Sequence, residues 1–270
     1  MSGAAAGIRL LVSDIDGTLV DHDKALTDAT VAAVARLRAA GIGFALISAR
    51  PRSGIAPLAE RLALDGLLAA FNGGTIFDAA GTVLGRHLVP HAVAEHALTV
   101  GRAAGATLWL FADDRWYASN GDDPHTARER RSTFQEPTVV DGFADLLDRV
   151  DKVTIVSDDQ DLLDGVTEQL RAAHGTEATI ARSQRYYLDI TATAANKGAG
   201  LAALARAAGV PLEAVAAIGD MANDLPMLTR AALAIAMGQA PDEVKAAADW
   251  VTASNDEDGV AAAIDRLLSR

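Results

Sequence analysis

The sequence predicts an α/β protein: a Rossmann-like parallel sheet core with helices on both faces, plus an inserted α+β layer. Three observations carry that expectation. Apolar runs of strand length alternate with helical stretches up to Phe71 and again from Asn196, the signature of successive βα units on a parallel sheet. Several of those runs stop abruptly in polar residues, at Asp14, Ser48, Asn72 and Asp220, and open α/β sheets collect their ligands at the carboxyl ends of their strands. Between the two stretches the pattern changes to two helices among antiparallel strand signals. The core is therefore expected over residues 1–86 and 190–270, and the insertion over 87–189.

Composition narrows the function classes. The chain has 270 residues, 50% hydrophobic and 22% charged, enough for a full core and one or two domains. Its formal net charge of −12 repels polyanions, so no nucleic-acid partner is expected. An anionic substrate needs a local positive centre, such as a metal ion with a lysine. With no cysteine, disulfides and thiolate-ligated metals are excluded. Met1 to Gly7 is small and uncharged and Asp14 interrupts the apolar run behind it, which is not a secretory signal. No stretch reaches the length of a membrane span. A cytoplasmic protein without a membrane partner, a monomer or homodimer, is expected.

The elements follow in order. Leu10 to Val12 reads as a strand buried on both faces, and Gly17 turns the chain after Asp14-Ile15-Asp16. Thr27 or Asp28 caps a helix through Arg38, which Gly41 ends. Ile42 to Ile47 is a second strand, parallel to the first because a helix intervenes. It stops at Ser48-Ala49-Arg50-Pro51, where the serine either donates to a phosphate oxygen or caps the next helix. A helix over 55–64, a strand over 66–71 ending in Asn72-Gly73-Gly74, and a hairpin around 78–81 complete the first half. The insertion reads as helices over 93–104 and 162–173, with strands over 107–111, 115–118, 153–156, 178–181 and 186–190. It holds most of the aromatic residues, expected mainly as core filling. Arg115, Tyr117, Arg128, Arg182 and Tyr186 are substrate candidates there by residue type. From Asn196-Lys197-Gly198 a helix runs to Ala208, then strands over 215–218, 231–237 and 249–252 alternate with helices over 242–248 and 260–268, the last capped by Asp258.

Asp14 and Asp16 repel one another at the end of a buried strand, a repulsion that a bound cation relieves. Gly219-Asp220-Met221-Ala222-Asn223-Asp224 places more carboxylates after another buried strand. If the two strands are neighbours, Asp220 faces Asp14 and Asp16, and a hard oxygen-ligand set of this kind favours Mg²⁺. Lys197 at a helix start brings a point charge suited to phosphate. Asn223-Asp224 doubles as a helix N-cap and an anion site. His87 and His91 lack a zinc motif around them.

Asp14-x-Asp16-Gly17-Thr18, Ser48, Lys197 and Gly219-Asp220-x-x-Asn223-Asp224, in that order, resemble the four motifs of the haloacid dehalogenase (HAD) superfamily. The long insertion resembles a type-IIB cap that sets substrate specificity, and the Ala236-Met237-Gly238-Gln239-Ala240 ending resembles the Cof-type subfamily. Two departures are mild: Ser48-Ala49-Arg50 stands where Thr-Gly-Arg is common, and Gln239 where Asn is commoner. The resemblance implies a Mg²⁺-dependent phosphatase of sugar phosphates or other small phosphate esters. Asp14 is then the nucleophile, Asp16 the proton shuttle and a backbone-carbonyl metal ligand, and Asp220 the remaining metal ligand. Asp224 orients Lys197 or a metal-bound water and is counted with the metal set. Lys197, Ser48, Ala49, Arg50, Asn72 and Asn223 are expected around the substrate. A sugar phosphomutase on the same scaffold and a catalytically silent phosphosugar-binding regulator are the competing readings. A dehalogenase would need neither Asp16 nor the metal set.

Overall fold

The computed structural model describes residues 7–269. The chain divides into two compact units, Met1–Gly85 with Asn196–Arg270, and Arg86–Ala195. The first begins with β1 (Leu10–Ser13), α1 (Asp28–Ala39), β2 (Gly43–Leu46), α2 (Arg52–Arg61), β3 (Leu67–Ala70), β4 (Thr75–Asp78) and β5 (Val83–Arg86). The second contains α3 (His91–Ala103), β6 (Thr107–Ala112), β7 (Arg115–Ala118), α4 (Thr126–Thr133), β8 (Thr138–Val139), β9 (Val150–Val156), α5 (Gln160–His174), β10 (Ala178–Gln184) and β11 (Tyr187–Ala192). The first then resumes with α6 (Lys197–Ala207), β12 (Val215–Gly219), α7 (Leu225–Leu228), β13 (Leu233–Ala236), α8 (Asp242–Ala246), β14 (Trp250–Val251) and α9 (Gly259–Leu268).

In the first unit five parallel strands lie in the order β14-β13-β12-β1-β2. All four residues of β1 are buried, as expected of a central strand covered on both faces. Burial of each large aliphatic side chain there contributes about 1.5–3 kcal/mol. Ser13 pairs with Ile218 on one side and Leu46 on the other, so three strands end level with one another. The α/β class read from the sequence is the one observed, and β12 is the neighbour of β1 that the aspartate argument required.

The Thr27 hydroxyl caps α1 by accepting from the Thr30 N–H at 3.1 Å. The helix buries Thr30, Ala33, Val34 and Leu37, one face at helical spacing. Helix α2 starts at Arg52, three residues before the expected start, with Pro51 at its N-cap. Ser48 is therefore no helix cap. Asp258 stands at the N-cap of α9 in a left-handed conformation without a side-chain cap bond. Its Oδ1 accepts from the Thr27 hydroxyl at 2.6 Å instead.

The second unit is a six-stranded sheet in the order β10-β11-β9-β6-β7-β8. Its main core joins α3 and α5 to one sheet face through Val93, Ala97, Leu110, Ile155, Leu163 and Ile190. Helix α4 escaped sequence reading because Thr-Ala-Arg-Glu-Arg-Arg-Ser-Thr carries almost no apolar periodicity. Trp109, Phe111 and Trp116 are fully buried, in line with core filling. Among the substrate candidates chosen by type, Arg182 binds Asp164 at 3.0 Å and Tyr186 stacks on His125, while Tyr117 packs against the core. No helix among the described residues is long and apolar enough to cross a membrane.

Candidate active site

The level ends of β1, β2 and β12 put three polar turns side by side. After β1 the chain turns through Asp14-Ile15-Asp16-Gly17, where Gly17 has φ of +82°. A Cβ at Gly17 would lie 2.9 Å from Asp220 Cγ, so the turn needs glycine for its conformation and for its approach to Asp220. The Thr18 hydroxyl donates to Asp220 Oδ1 at 3.0 Å.

Asp14 and Lys197 are buried and joined, with Nζ donating to Asp14 Oδ1 at 2.5 Å. The same ammonium donates to Asp224 Oδ1 at 2.5 Å. Asp224 Oδ2 accepts from the backbone N–H groups of Asp220 and Met221, each at 2.9 Å. Asp224 therefore fixes the lysine with one oxygen and folds its own turn with the other. Lys197 opens α6, whose first turn Asn196 caps through the Ala199 N–H at 2.9 Å. That turn is wedged tightly: a Cβ at Gly198 would come 2.5 Å from the Pro226 carbonyl oxygen, and one at Gly200 2.9 Å from Gly73 Cα.

Asp14, Asp220 and Asp224 each offer a carboxylate oxygen, all within 4.8 Å of one another. Burial pushes the Asp14 carboxyl well above the usual range, Asp224 and Asp220 add to the effect, and Lys197 opposes it. Burial and then Asp224 push Asp220 up to about 6. Burial works against the charge of Lys197, yet Asp14 and Asp224 hold its amine above the usual lysine range. Three carboxylates share one ammonium, and the surplus negative charge raises acid and base alike. A hard divalent cation fits this donor set: all-oxygen ligands, buried, with charge left to neutralise.

Asp16 stands outside that triad. Arg50 grips it as a fork, Nε to Oδ2 and Nη2 to Oδ1, both at 2.8 Å. Lys24 adds Nζ to Oδ1 at 2.6 Å. Burial alone would raise its carboxyl, but Arg50 and then Lys24 outweigh it and hold the group well below the usual carboxylate range. Arg50, expected beside the substrate, is thus engaged with Asp16. The Ser48 hydroxyl is buried and accepts from the Arg50 N–H at 3.2 Å, which leaves its own hydrogen to donate elsewhere. Ala49 between them is half-buried. Asn72 sits in a left-handed turn after β3, donates its N–H to the Ser48 carbonyl at 2.7 Å, and meets the Asn223 amide at 3.5 Å. The predicted residues are thus brought together within one unit, with Asn223 on the exposed rim.

Lys24 was not anticipated from the sequence: it lies in a polar loop with no periodicity or motif to single it out. Gln239, noted only as a departure, donates its amide to the Gly17 carbonyl at 2.5 Å and accepts from the Asn255 N–H at 3.2 Å. It braces the Asp14–Gly17 turn from the far side.

A parallel α/β sheet with a buried carboxylate–lysine cluster at its carboxyl end is the arrangement of a Rossmann-like hydrolytic enzyme. The chain belongs to the haloacid dehalogenase-like hydrolase family, whose model matches residues 11–264. It is 28% identical over 257 residues to 5-amino-6-(5-phospho-D-ribitylamino)uracil phosphatase YcsE of Bacillus subtilis strain 168, covering 95% of this chain and 94% of that protein. A solved haloacid dehalogenase-like hydrolase from Bacteroides thetaiotaomicron superposes with a TM-score of 0.89 at 31% identity, covering 96% of this chain and 99% of its own. The HAD subclass IIB sugar phosphatase BT4131 superposes with a TM-score of 0.82 at 26% identity, covering 96% and 98%. The family read from the four motifs is the family found.

Proposed function

We propose that this chain is a Mg²⁺-dependent phosphatase that hydrolyses a small phosphate monoester, of the sugar-phosphate class, through an aspartyl-phosphate on Asp14. The observation that carries this reading is the buried Asp14–Lys197–Asp224 chain beside Asp220, a carboxylate held by a cation within an oxygen-rich cluster. Related proteins named as phosphatases of a phosphoribityl compound and of sugars support the substrate class.

Asp14, Asp220, Asp224 and the Asp16 backbone carbonyl are the groups that would hold Mg²⁺. When bound there it supplies the charge that keeps Asp14 ionised and neutralises the phosphoryl oxygens. Asp14 attacks phosphorus, the bond to the leaving oxygen breaks, and Asp16 delivers the proton that oxygen needs. Arg50 and Lys24 favour the ionised Asp16 and so assist this delivery, while they oppose the protonated form that the next step must restore. Asp16 then takes a proton from water, whose oxygen displaces Asp14 and releases phosphate. Lys197, the Ser48 hydroxyl and the Asn223 amide hold the transferring oxygens, and Asn72 aligns Asn223. The second unit supplies selectivity for the organic part of the ester.

A panel of phosphate monoesters assayed with Mg²⁺ tests the reading. Turnover should appear on small sugar phosphates and vanish when the metal is chelated. Undiminished phosphate release from protein shown to be metal-free would sink it.

A further inference from the structure

We propose that Lys24 is a positioning residue for the reaction: together with Arg50 it closes one oxygen of Asp16 and leaves the other with an open lone-pair site for the proton that Asp16 carries. This rests on the reading of Asp16 as the proton carrier. A carboxylate oxygen has two lone-pair sites. Oδ1 of Asp16 receives two donors, Lys24 Nζ at 2.6 Å and Arg50 Nη2 at 2.8 Å. Oδ2 receives one, Arg50 Nε at 2.8 Å. Among the described residues, only Oδ2 keeps a lone-pair site clear of protein donors.

The two cations divide the work. Arg50 is almost wholly buried and is itself tied to the Gly54 carbonyl at 3.1 Å, so its fork fixes the plane of the carboxylate. A symmetric fork, however, treats the two oxygens alike. The asymmetry comes from Lys24. That residue sits in a closed turn, with its N–H donating to the Asp21 carbonyl at 3.0 Å and the Ala25 N–H to Asp21 Oδ1 at 2.8 Å. Its φ is +67°, a conformation L residues seldom adopt and glycine adopts freely. The backbone would be better served by glycine. What lysine adds is the amine on Oδ1.

The test separates this role from simple stabilisation. Lys24→Met removes the amine at nearly constant size. Lys24→Gly removes it while relaxing the turn, and stands in for the first variant should that one fail to fold. Each is assayed with Mg²⁺ on phenyl phosphate, whose leaving group needs a proton, and on p-nitrophenyl phosphate, which hardly does. We expect kcat/KM on phenyl phosphate to fall about tenfold further than on p-nitrophenyl phosphate, a fraction of the full effect of a general acid, because the lost alignment outweighs the easier protonation of Asp16 once the neighbouring cation is gone. In an Asp16→Asn background the same substitutions should change either rate less than about twofold, because coupled residues are not additive. Lys24→Arg should restore most of the loss. Mg²⁺ affinity should stay at the wild-type value throughout. Equal losses on the two esters, or an undiminished effect of Lys24→Met in the Asp16→Asn background, would overturn the proposal. If Asp16→Asn alone turns over phenyl phosphate at the wild-type rate, the role of Asp16 falls first and that of Lys24 with it.

Discussion

Gly17 and Gly41 offer a matched pair of perturbations. Both have φ of +82°, and both lie in the first unit. At Gly41 an added Cβ meets nothing within 4 Å, whereas at Gly17 it meets the Asp220 carboxylate, with Cγ at 2.9 Å and Oδ1 at 3.1 Å. Gly41→Ala therefore measures the left-handed backbone alone, roughly 1–2 kcal/mol. Reduced freedom of the unfolded chain offsets about 0.4–1 kcal/mol of that, and a net loss near 1 kcal/mol remains. Gly17→Ala carries the same term plus an overpacking cost of about 1–3 kcal/mol. The sum is about 2–4 kcal/mol. Moving Asp220 also breaks the 3.0 Å bond from Thr18, so Mg²⁺ affinity should fall with stability. Urea denaturation in chelator gives the first quantity by linear extrapolation, and a calorimetric Mg²⁺ titration the second. A Gly17→Ala protein that loses no more stability than Gly41→Ala and binds Mg²⁺ as the wild type does would refute the close approach of Gly17 to Asp220.

Lys197→Met removes the single cation among three buried carboxylates. The metal-free protein should lose about 3–5 kcal/mol in denaturation, as for any broken buried pair, and added Mg²⁺ should recover part of the loss. The Asp220 carboxyl titrates near 6 in the folded protein against a usual 3.8, so the folded state binds that proton more tightly. The stabilisation is complete below about pH 4 and is lost as pH rises through about 6. Thermal melts in chelator should therefore show the wild type falling relative to Asp220→Asn between pH 4 and 7. Parallel melting profiles would contradict the assignment.

The sheet and the main carboxylate cluster were legible because both follow from abrupt local contrasts. Leu10 to Val12 breaks into Asp14, and Val215 to Ile218 into Asp220, and parallel pairing of β1 with β12 makes the two breaks neighbours. Helix α4 was not legible because its charged sequence has no apolar stripe. The start of α2 was missed because Pro51, a residue without a capping side chain, stands at its N-cap. The fork of Arg50 on Asp16 spans 34 positions and the Gln239 contact with Gly17 spans 222. Neither pairing has a local signal, since it is the fold that creates the proximity. Asp16 itself was legible as a functional carboxylate, Arg50 only as a substrate residue, and Lys24 not at all.

Phosphorylation of Asp14 and proton transfer by Asp16 can be separated by acid-quenched phosphoenzyme trapping on p-nitrophenyl phosphate. That ester leaves with little protonation, so Asp16→Asn should pass the first step and stall at the second, which still needs a base for water. Asp16→Asn should give a burst of nitrophenol and an acid-stable, hydroxylamine-sensitive label, and Asp14→Asn no label. A labelled Asp14→Asn protein, beside an Asp16→Asn protein with intact Mg²⁺ binding and neither burst nor label, would contradict both roles.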